Sequence, residues 1–292
     1  MEPLIAFEHV SKQFRNGTQA LEDVSFSVSG GVYGLLGHNG AGKTTLMRAL
    51  ATVLAPSCGS IRLCGFDTVK QRDQVRARIG YLPQELAMYP SLSVFDFVSY
   101  MAALKGIRGR RPVEAALEQV GMLEHARRKT GGLSGGMKRR VGIAQALVGE
   151  PPVLVVDEPT AGLDPEERVR FRGVLSQYAR QGRAVLLSTH IVEDLHQICG
   201  ELAVLRRGRL FFAGSSAALM KQVEGKVKLL SLEQDSQLLQ VQRQAVVLAA
   251  VYESHGLTAR IMDEQGLFPG AAPVPATLED AYVYCMGGKH HE

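Results

Sequence analysis

Eight residues, GHNGAGKT from Gly37 to Thr44, constrain what this chain can fold into more than any other stretch. They follow the apolar run VYGLL and open a segment, Thr44 to Leu54, in which Leu46, Leu50, Val53 and Leu54 fall at helical spacing. The order is strand, glycine loop, helix, and the spacing is that of a phosphate loop, G-x-x-x-x-G-K-[ST]. Glycines let backbone N–H groups curl round phosphate oxygens, the helix N-terminus adds positive potential, and Lys43 is placed to reach the β and γ phosphates of a nucleotide. The Thr44 hydroxyl is the expected Mg²⁺ ligand. A chance glycine turn would not carry both the strand and the helix on its flanks.

Such a loop requires an acid at the end of a buried strand to hold the magnesium shell, and VLVVD supplies Asp157. Glu158 follows directly. An Asp-Glu pair in a loop is ordinarily solvated, but after four apolar residues it reads as functional, with Glu158 the general base that polarises the attacking water. His190 ends a second apolar run, LLSTH. Alone it would be a structural histidine; beside the other two motifs it is the expected γ-phosphate contact. PPVLVVDEP and RAVLLSTH read as buried parallel strands, and Asp164-Pro165-Glu166-Glu167 starts a helix between them whose buried face is Phe171, Val174, Leu175 and Tyr178. The core is therefore expected to be an open parallel α/β sheet. LIAFEHV, LEDVSFSV and VYGLLG precede it as short strands. An all-helical insert follows, from the Ser93/Asp96 capping box with Val94, Phe97, Val98 and Met101 on one face, through a helix after Pro112 carrying Val113, Ala116, Leu117 and Val120, to LSGG.

LSGG, Leu133 to Gly136, is a second anion-binding turn. Ser134 is a natural N-cap, Gly135 and Gly136 bare the backbone amides, and the helix from Met137 through Ala144 and Leu147 aims its dipole at whatever lies before it. It has no lysine and no magnesium acid of its own, so it holds one face of a phosphate without building a nucleotide site. The economical arrangement is two copies head to tail, each LSGG closing over the other copy's nucleotide.

With these motifs in order, Pro3 to Gly214 resembles the ATP-binding subunit of an ABC transporter: the phosphate loop, VLVVDE, LSGGM like the ABC signature, AGLD at Ala161 to Asp164 like the D-loop, YLPQ with Gln84 like the Q-loop, and His190 like the switch histidine. The resemblance implies a P-loop NTPase (RecA-like) core with an antiparallel β subdomain and an inserted helical subdomain at about 90–140. It implies ATP and Mg²⁺ held by Gly37, His38, Asn39, Gly40, Ala41, Gly42, Lys43, Thr44 and Thr45, with Gln84 joining the metal and water shell beside Thr44 and Asp157. Phe14 sits where the family places an aromatic on adenine, an ordinary strand residue being the alternative. Ser134, Gly135 and Gly136 would meet the nucleotide of the other copy, and Asp164 would lie at the dimer interface. LSGGMKRR departs from the common LSGGQ at Met137 but keeps the phosphate-facing residues. It looks closest, with YLPQELAMYPSLSVFDFVSYMAALKGI and the closing PATLEDAYVYCMGG, to cassettes paired with ABC-2 type exporter permeases. The implied partners are a separate transmembrane permease and a second cassette, the same or different, at the cytoplasmic face of the cell membrane.

What remains limits the alternatives. No apolar run reaches the ~20 residues of a membrane span, MEPLIAFEHV is no signal peptide, and Cys58, Cys64, Cys199 and Cys285 show neither CxxC nor zinc spacing, which reads as a soluble, reducing, intracellular setting. A net charge of +4 is mild for nucleic acid. Lys138 to Arg140 and Arg206 to Arg209 read as solvated faces or phosphate-adjacent charge rather than a nucleic-acid strip. The intervening stretch is too short for the coiled coil of a DNA-maintenance ATPase, and one cassette, not two, argues against the translation-associated type. A non-hydrolysing scaffold is disfavoured by Glu158 together with His190. Residues 215–292 read as an appended α+β domain: strand KVKLLSL, an amphipathic helix from Gln237 to Ser254, strand LTARIM, a Pro/Gly loop and a capped helix from Thr277 to Met286. His290 and His291 read as a frayed terminus, not a metal site.

Overall fold

The computed structural model describes residues 2–159, 163–180, 182–253 and 256–287. The chain divides into two compact units, Met1–Ala213 and Gly214–Glu292. In the first, β1 (Ile5–Gln13) pairs antiparallel with β2 (Gln19–Val28), and β3 (Gly31–Leu36) feeds α1 (Lys43–Leu50). β4 (Cys58–Leu63) and β5 (Phe66–Asp67) complete a four-stranded sheet of order β2-β1-β4-β5. After α2 (Arg72–Arg76) and β6 (Ile79–Leu82) comes the helical stretch α3 (Val94–Leu104), α4 (Arg110–Gln119) and α5 (Gly135–Leu147). Then follow β7 (Val153–Asp157), α6 (Pro165–Ala179), β8 (Ala184–Thr189), α7 (Val192–His196), β9 (Glu201–Arg206) and β10 (Arg209–Ser215).

The second sheet has the order β10-β9-β3-β8-β7-β6, and its five central and edge strands from β9 to β6 run parallel. Every residue of β7 and β8 is buried, which is why both read as uninterrupted apolar runs. The register sets Leu36 beside Thr189 and Val204, Asp157 beside Ser188, and Leu82 beside Val156. All the strand-end motifs thus emerge at one carboxyl edge of the sheet, where open α/β folds bind ligands. Ile5, Phe7, Leu35, Leu46, Met47, Leu50, Val155 and Leu186 belong to the main apolar core that fixes this edge; each side chain fully buried there contributes about 1.5–3 kcal/mol.

Two local expectations shift and one holds. The first helix stops at Leu50, not Leu54: Ala51 caps it, Thr52 turns left-handed at φ 62°, and Val53 is 62% exposed, so its helical phase is coincidental. The helix expected after Pro112 already begins at Arg110, on the left-handed Gly109. The Ser93 cap holds, its Oγ accepting from Asp96 N at 3.0 Å.

The second unit holds α8 (Ser216–Lys221), β11 (Val227–Leu232), α9 (Asp235–Gln244), β12 (Val246–Glu253), β13 (Gly256–Met262), β14 (Ala272–Pro273) and α10 (Leu278–Gly287), with sheet order β12-β13-β11-β14. The helix expected from Gln237 to Ser254 is in fact helix and strand. Past Gln244 the run AVVLAAVY has no polar face to offer solvent, and its valines favour the pleated surface that β13 supplies in antiparallel register. The Arg260 guanidinium holds α10 on β13 by paired bonds to Asp280, Nε to Oδ1 at 2.7 Å and Nη2 to Oδ2 at 2.6 Å. His290 and His291 lie outside the described residues.

Candidate functional site

The loop between β3 and α1 is shaped by glycines that nothing else replaces. Gly42 has φ 104°, and a Cβ there would stand 2.6 Å from the Ala20 carbonyl oxygen; a Cβ on Gly37 would stand 2.6 Å from the Leu205 carbonyl oxygen. Gly42 is also the N-cap of α1 and brings no side chain to it, so the first-turn amides of Lys43, Thr44 and Thr45 have no side-chain cap. His38, Asn39 and Gly40 form the exposed rim of the loop, while Ala41 is buried beneath it. Lys43, 4% exposed, folds back over the loop and donates from Nζ to Gly37 O at 2.7 Å and His38 O at 3.3 Å.

Four chemically active side chains meet beside this loop. Glu158 follows β7 in a left-handed conformation, φ 45°, a strained backbone for a residue with a Cβ. Its carboxylate lies 3.4 Å from Lys43 Nζ, accepts from Gln84 Nε2 at 3.2 Å, and lies 3.5 Å from His190 Nδ1. The structure therefore gathers Lys43, Gln84 and His190 on the buried Glu158 carboxylate, although the four side chains come from four separate segments. His190 keeps 43% of its side chain exposed, and Gln84 is exposed.

Asp157 is completely buried. Its Oδ1 accepts from Ser188 Oγ at 2.5 Å, and among the described residues its Oδ2 has no hydrogen-bond partner. An orphaned carboxylate oxygen at the strand end, next in sequence to the glutamate that meets Lys43, fits the outer shell of a divalent cation. Among the described residues no three His, Cys, Asp or Glu cluster as a self-sufficient metal site, so such a cation depends on phosphate oxygens as well.

Two contributors escaped the motif reading. Ser188 sits opposite Asp157 in the β7/β8 register and also accepts from Glu158 N at 2.9 Å, setting the turn that carries the glutamate; the polar pair Ser-Thr inside RAVLLSTH was the available signal. Lys138–Arg140 is open in sequence to two readings, a solvated face or phosphate-adjacent charge, and Arg139 is no solvated face. Its five N–H groups go to five carbonyl oxygens: Nε to Pro159, Nη1 to Pro83 and Gln84, Nη2 to Asp157 and Glu158. Burial pulls this guanidinium below its ordinary value while Asp157 and Glu158 oppose that pull. Arg140 lies 3.4 Å from Glu167 of α6.

The remaining expected residues stand apart from this cluster. Phe14, 39% exposed, lies in the turn after β1 with Lys12 Nζ 5.6 Å from its ring centre. Ser134 caps α5, accepting from Met137 N at 3.3 Å; Ser134 and Gly135 are exposed, and nothing lies within 4 Å of where a Gly135 Cβ would be. Gly136 is half-buried beside Glu167. No hydrogen bond or ion pair among the described residues joins Ser134–Gly136 to the phosphate loop. Asp164 caps α6 through Oδ1, which accepts from Glu167 N at 2.9 Å; Ala161 and Gly162 of the expected D-loop lie outside the described residues. No helix among the described residues is long and apolar enough to cross a membrane.

The family profile described as ABC transporter matches residues 21–161. The chain is 36% identical over 225 residues to the ABC transporter ATP-binding protein NatA of Bacillus subtilis, covering 74% of this chain and 91% of that protein. It is 34% identical over 297 residues to the Nod factor export ATP-binding protein I of Burkholderia orbicola, covering 97% of each. Among solved structures it resembles cbiO1 of Clostridium perfringens, part of the ABC transporter complex cbiONQ, with TM-score 0.68 and 27% identity over 84% of this chain and 96% of that one.

Proposed function

Since the chain belongs to the ABC transporter family as one of its ATP-binding ATPase subunits, we propose that its carboxyl-edge cluster is the hydrolytic site, with Glu158 as general base. The observation that carries this reading is the convergence of Lys43, Gln84 and His190 on the Glu158 carboxylate. The lysine amine is held by two loop carbonyls and the glutamate. A γ-phosphate reaching the loop competes for that amine. Once Lys43 turns to the phosphate, Glu158 is released toward water, and Gln84 and His190 remain at hand to orient water and phosphate.

The backbone amides from Gly37 to Thr45 hold the phosphates, and Phe14 stacks on the base. Mg²⁺, when bound, neutralises phosphate charge; Thr44, Gln84 and Asp157 are the residues that would hold it, and Asp157 Oδ2, without a hydrogen-bond partner among the described residues, supports this. Ser134, Gly135 and Gly136 complete the site of a second cassette; Ser134 and Gly135 are exposed at the start of α5, and no hydrogen bond among the described residues ties the three to the phosphate loop of their own chain. Asp164 stands at that interface. Residues 1–214 are the cassette, and 215–292 an accessory domain. The cassette drives a separate permease from the cytoplasmic face of the membrane. Likeness over 97% of its length to a Nod factor export protein, accessory domain included, favours an ABC-2 type exporter.

The test compares ATP turnover and sedimentation of the wild type with Glu158→Gln. The variant is expected to lose turnover and to accumulate as a dimer in Mg-ATP. Hydrolysis by the variant at the wild-type rate removes Glu158 from the mechanism.

A further inference from the structure

We propose that Arg139 is a positioning residue that locks the signature helix α5 to the Gln84 loop and the Glu158 turn of its own subunit, so that a change at the hydrolytic carboxylate is delivered mechanically to Ser134. The proposal rests on the assignment of Glu158 as the base.

The geometry is specific. A guanidinium has five N–H donors in a rigid plane, and here all five are used, each on a main-chain carbonyl. Three acceptors are consecutive, Asp157, Glu158 and Pro159; the Glu158 bond is the shortest at 2.7 Å. Two more, Pro83 and Gln84, belong to the segment after β6. One planar group thus spans the two loops that bring Gln84 to Glu158, and it does so from a helix whose N-cap is Ser134. A solvated arginine has no reason to give every donor to backbone, and an arginine filling core space would not sort its donors between two loops.

Other contacts make α5 a stiff lever. Its buried Gln145 donates to Tyr81 O at 2.9 Å. A Cβ on Gly80 would fall 2.1 Å from the Ala146 carbonyl oxygen, so helix and β6 backbones touch there, and the bare Gly142 lets the Leu86 and Leu82 side chains pack onto the helix, 2.7 and 2.9 Å from where a Cβ would stand. The C-terminal half of α5 therefore cannot shift without β6. At its N-terminal end Arg139 is the link to the Glu158 turn, while Arg140 reaches Glu167 and with it the capped start of α6. Bonded carbonyls do not stretch independently: a turn of the 157–159 backbone must either carry the guanidinium along or break several bonds together.

Lysine is the informative substitution, because it keeps the charge but offers three donors from a point rather than five in a plane. Steady-state ATP hydrolysis is measured for wild type, Arg139→Lys, Arg139→Met and Glu158→Gln, with the folded fraction counted by binding of a fluorescent ATP analogue. A positioning role lowers kcat per folded molecule while the KM for ATP stays within about threefold, roughly tenfold for Arg139→Lys and roughly 30-fold or more for Arg139→Met. A purely structural role lowers the folded fraction and leaves kcat per folded molecule unchanged, and that result overturns the proposal. If Arg139→Met yields no folded protein, Arg139→Lys decides alone on the same criterion. Wild-type turnover by Glu158→Gln sinks the functional assignment itself, whereas an inactive Glu158→Gln beside a fully active Arg139→Lys sinks only the role of Arg139.

Discussion

Ser188→Ala is the sharpest test of how the carboxyl edge is held together. The hydroxyl donates to a completely buried aspartate and accepts from the Glu158 amide. Removing it leaves Asp157 with no partner for either oxygen among the described residues, since Oδ2 has none to begin with. The Glu158 amide is less exposed to the loss, because it also reaches Ser188 O at 3.2 Å. The cost is therefore set by the carboxylate, and a lost hydrogen bond to a buried charged group amounts to about 2–3 kcal/mol. The assay is urea unfolding followed by far-UV circular dichroism, as the chain has no tryptophan to report on. With two compact units the curve need not be a single transition, so the cassette transition is identified as the one that Mg-ATP moves to higher urea. Repeating the measurement in an Asp157→Asn background should shrink the penalty by about 1–2 kcal/mol, the coupling between the two groups. A loss under about 0.5 kcal/mol in both backgrounds would refute the reasoning, because a buried carboxylate cannot lose its last donor at no cost.

Three further outcomes are expected. Lys105, at the end of α3, buries Nζ with no hydrogen-bond partner among the described residues, and desolvation pulls it from its ordinary 10.5 down to about 8. The unfolded chain then binds the extra proton between those two values, so stability rises with pH from about 8 to about 10.5; Lys105→Met should abolish that rise in pH-dependent urea melts and stabilise the protein at pH 7 by ~1–3 kcal/mol. Gly42→Ala meets the Ala20 carbonyl oxygen, whereas Gly40→Ala at φ 80° meets nothing within 4 Å; thermal melts should show a loss of about 3 kcal/mol for the first and nearer 1 kcal/mol for the second. Burial pushes the Asp280 carboxyl up, but Arg260 and Thr277 outweigh it and hold it below its ordinary 3.8. Its stabilisation is therefore present above that ordinary value and lost as pH falls through the depressed one, so Arg260→Met should move acid unfolding of the 214–292 unit to higher pH, read by circular dichroism.

The parts of this molecule that are legible in the sequence are those written in local pattern. The glycine spacing before Lys43, the five buried residues of β7 and the caps at Ser93, Ser134 and Asp164 each lie within a few residues of what they determine. Arg139 is illegible for the opposite reason: its acceptors lie about 20 and 55 positions away, and a main-chain carbonyl has no residue type to recognise. Ser188 needs the strand register, which only the folded sheet supplies. The α9–β12 boundary was missed because alanine, valine and leucine suit either period, and the deciding partner, β13, comes later in the chain. The helical phase that included Val53 failed because a single left-handed residue, Thr52, ends a helix without changing its apolar pattern.

The position of β3 in the sheet also orders events on the ribosome. This strand, residues 31–36, has as its two neighbours β8 and β9, which end at Thr189 and Arg206. Roughly 170 further residues must be made before both exist, which at about 5–20 residues per second takes on the order of 10–30 s. Until then GVYGLL is an unpaired apolar strand and the glycine loop after it has no sheet edge to stand on. The nucleotide loop is made well before the strands that support it, so a chain truncated before residue 206 would carry the whole phosphate motif and still bind no ATP.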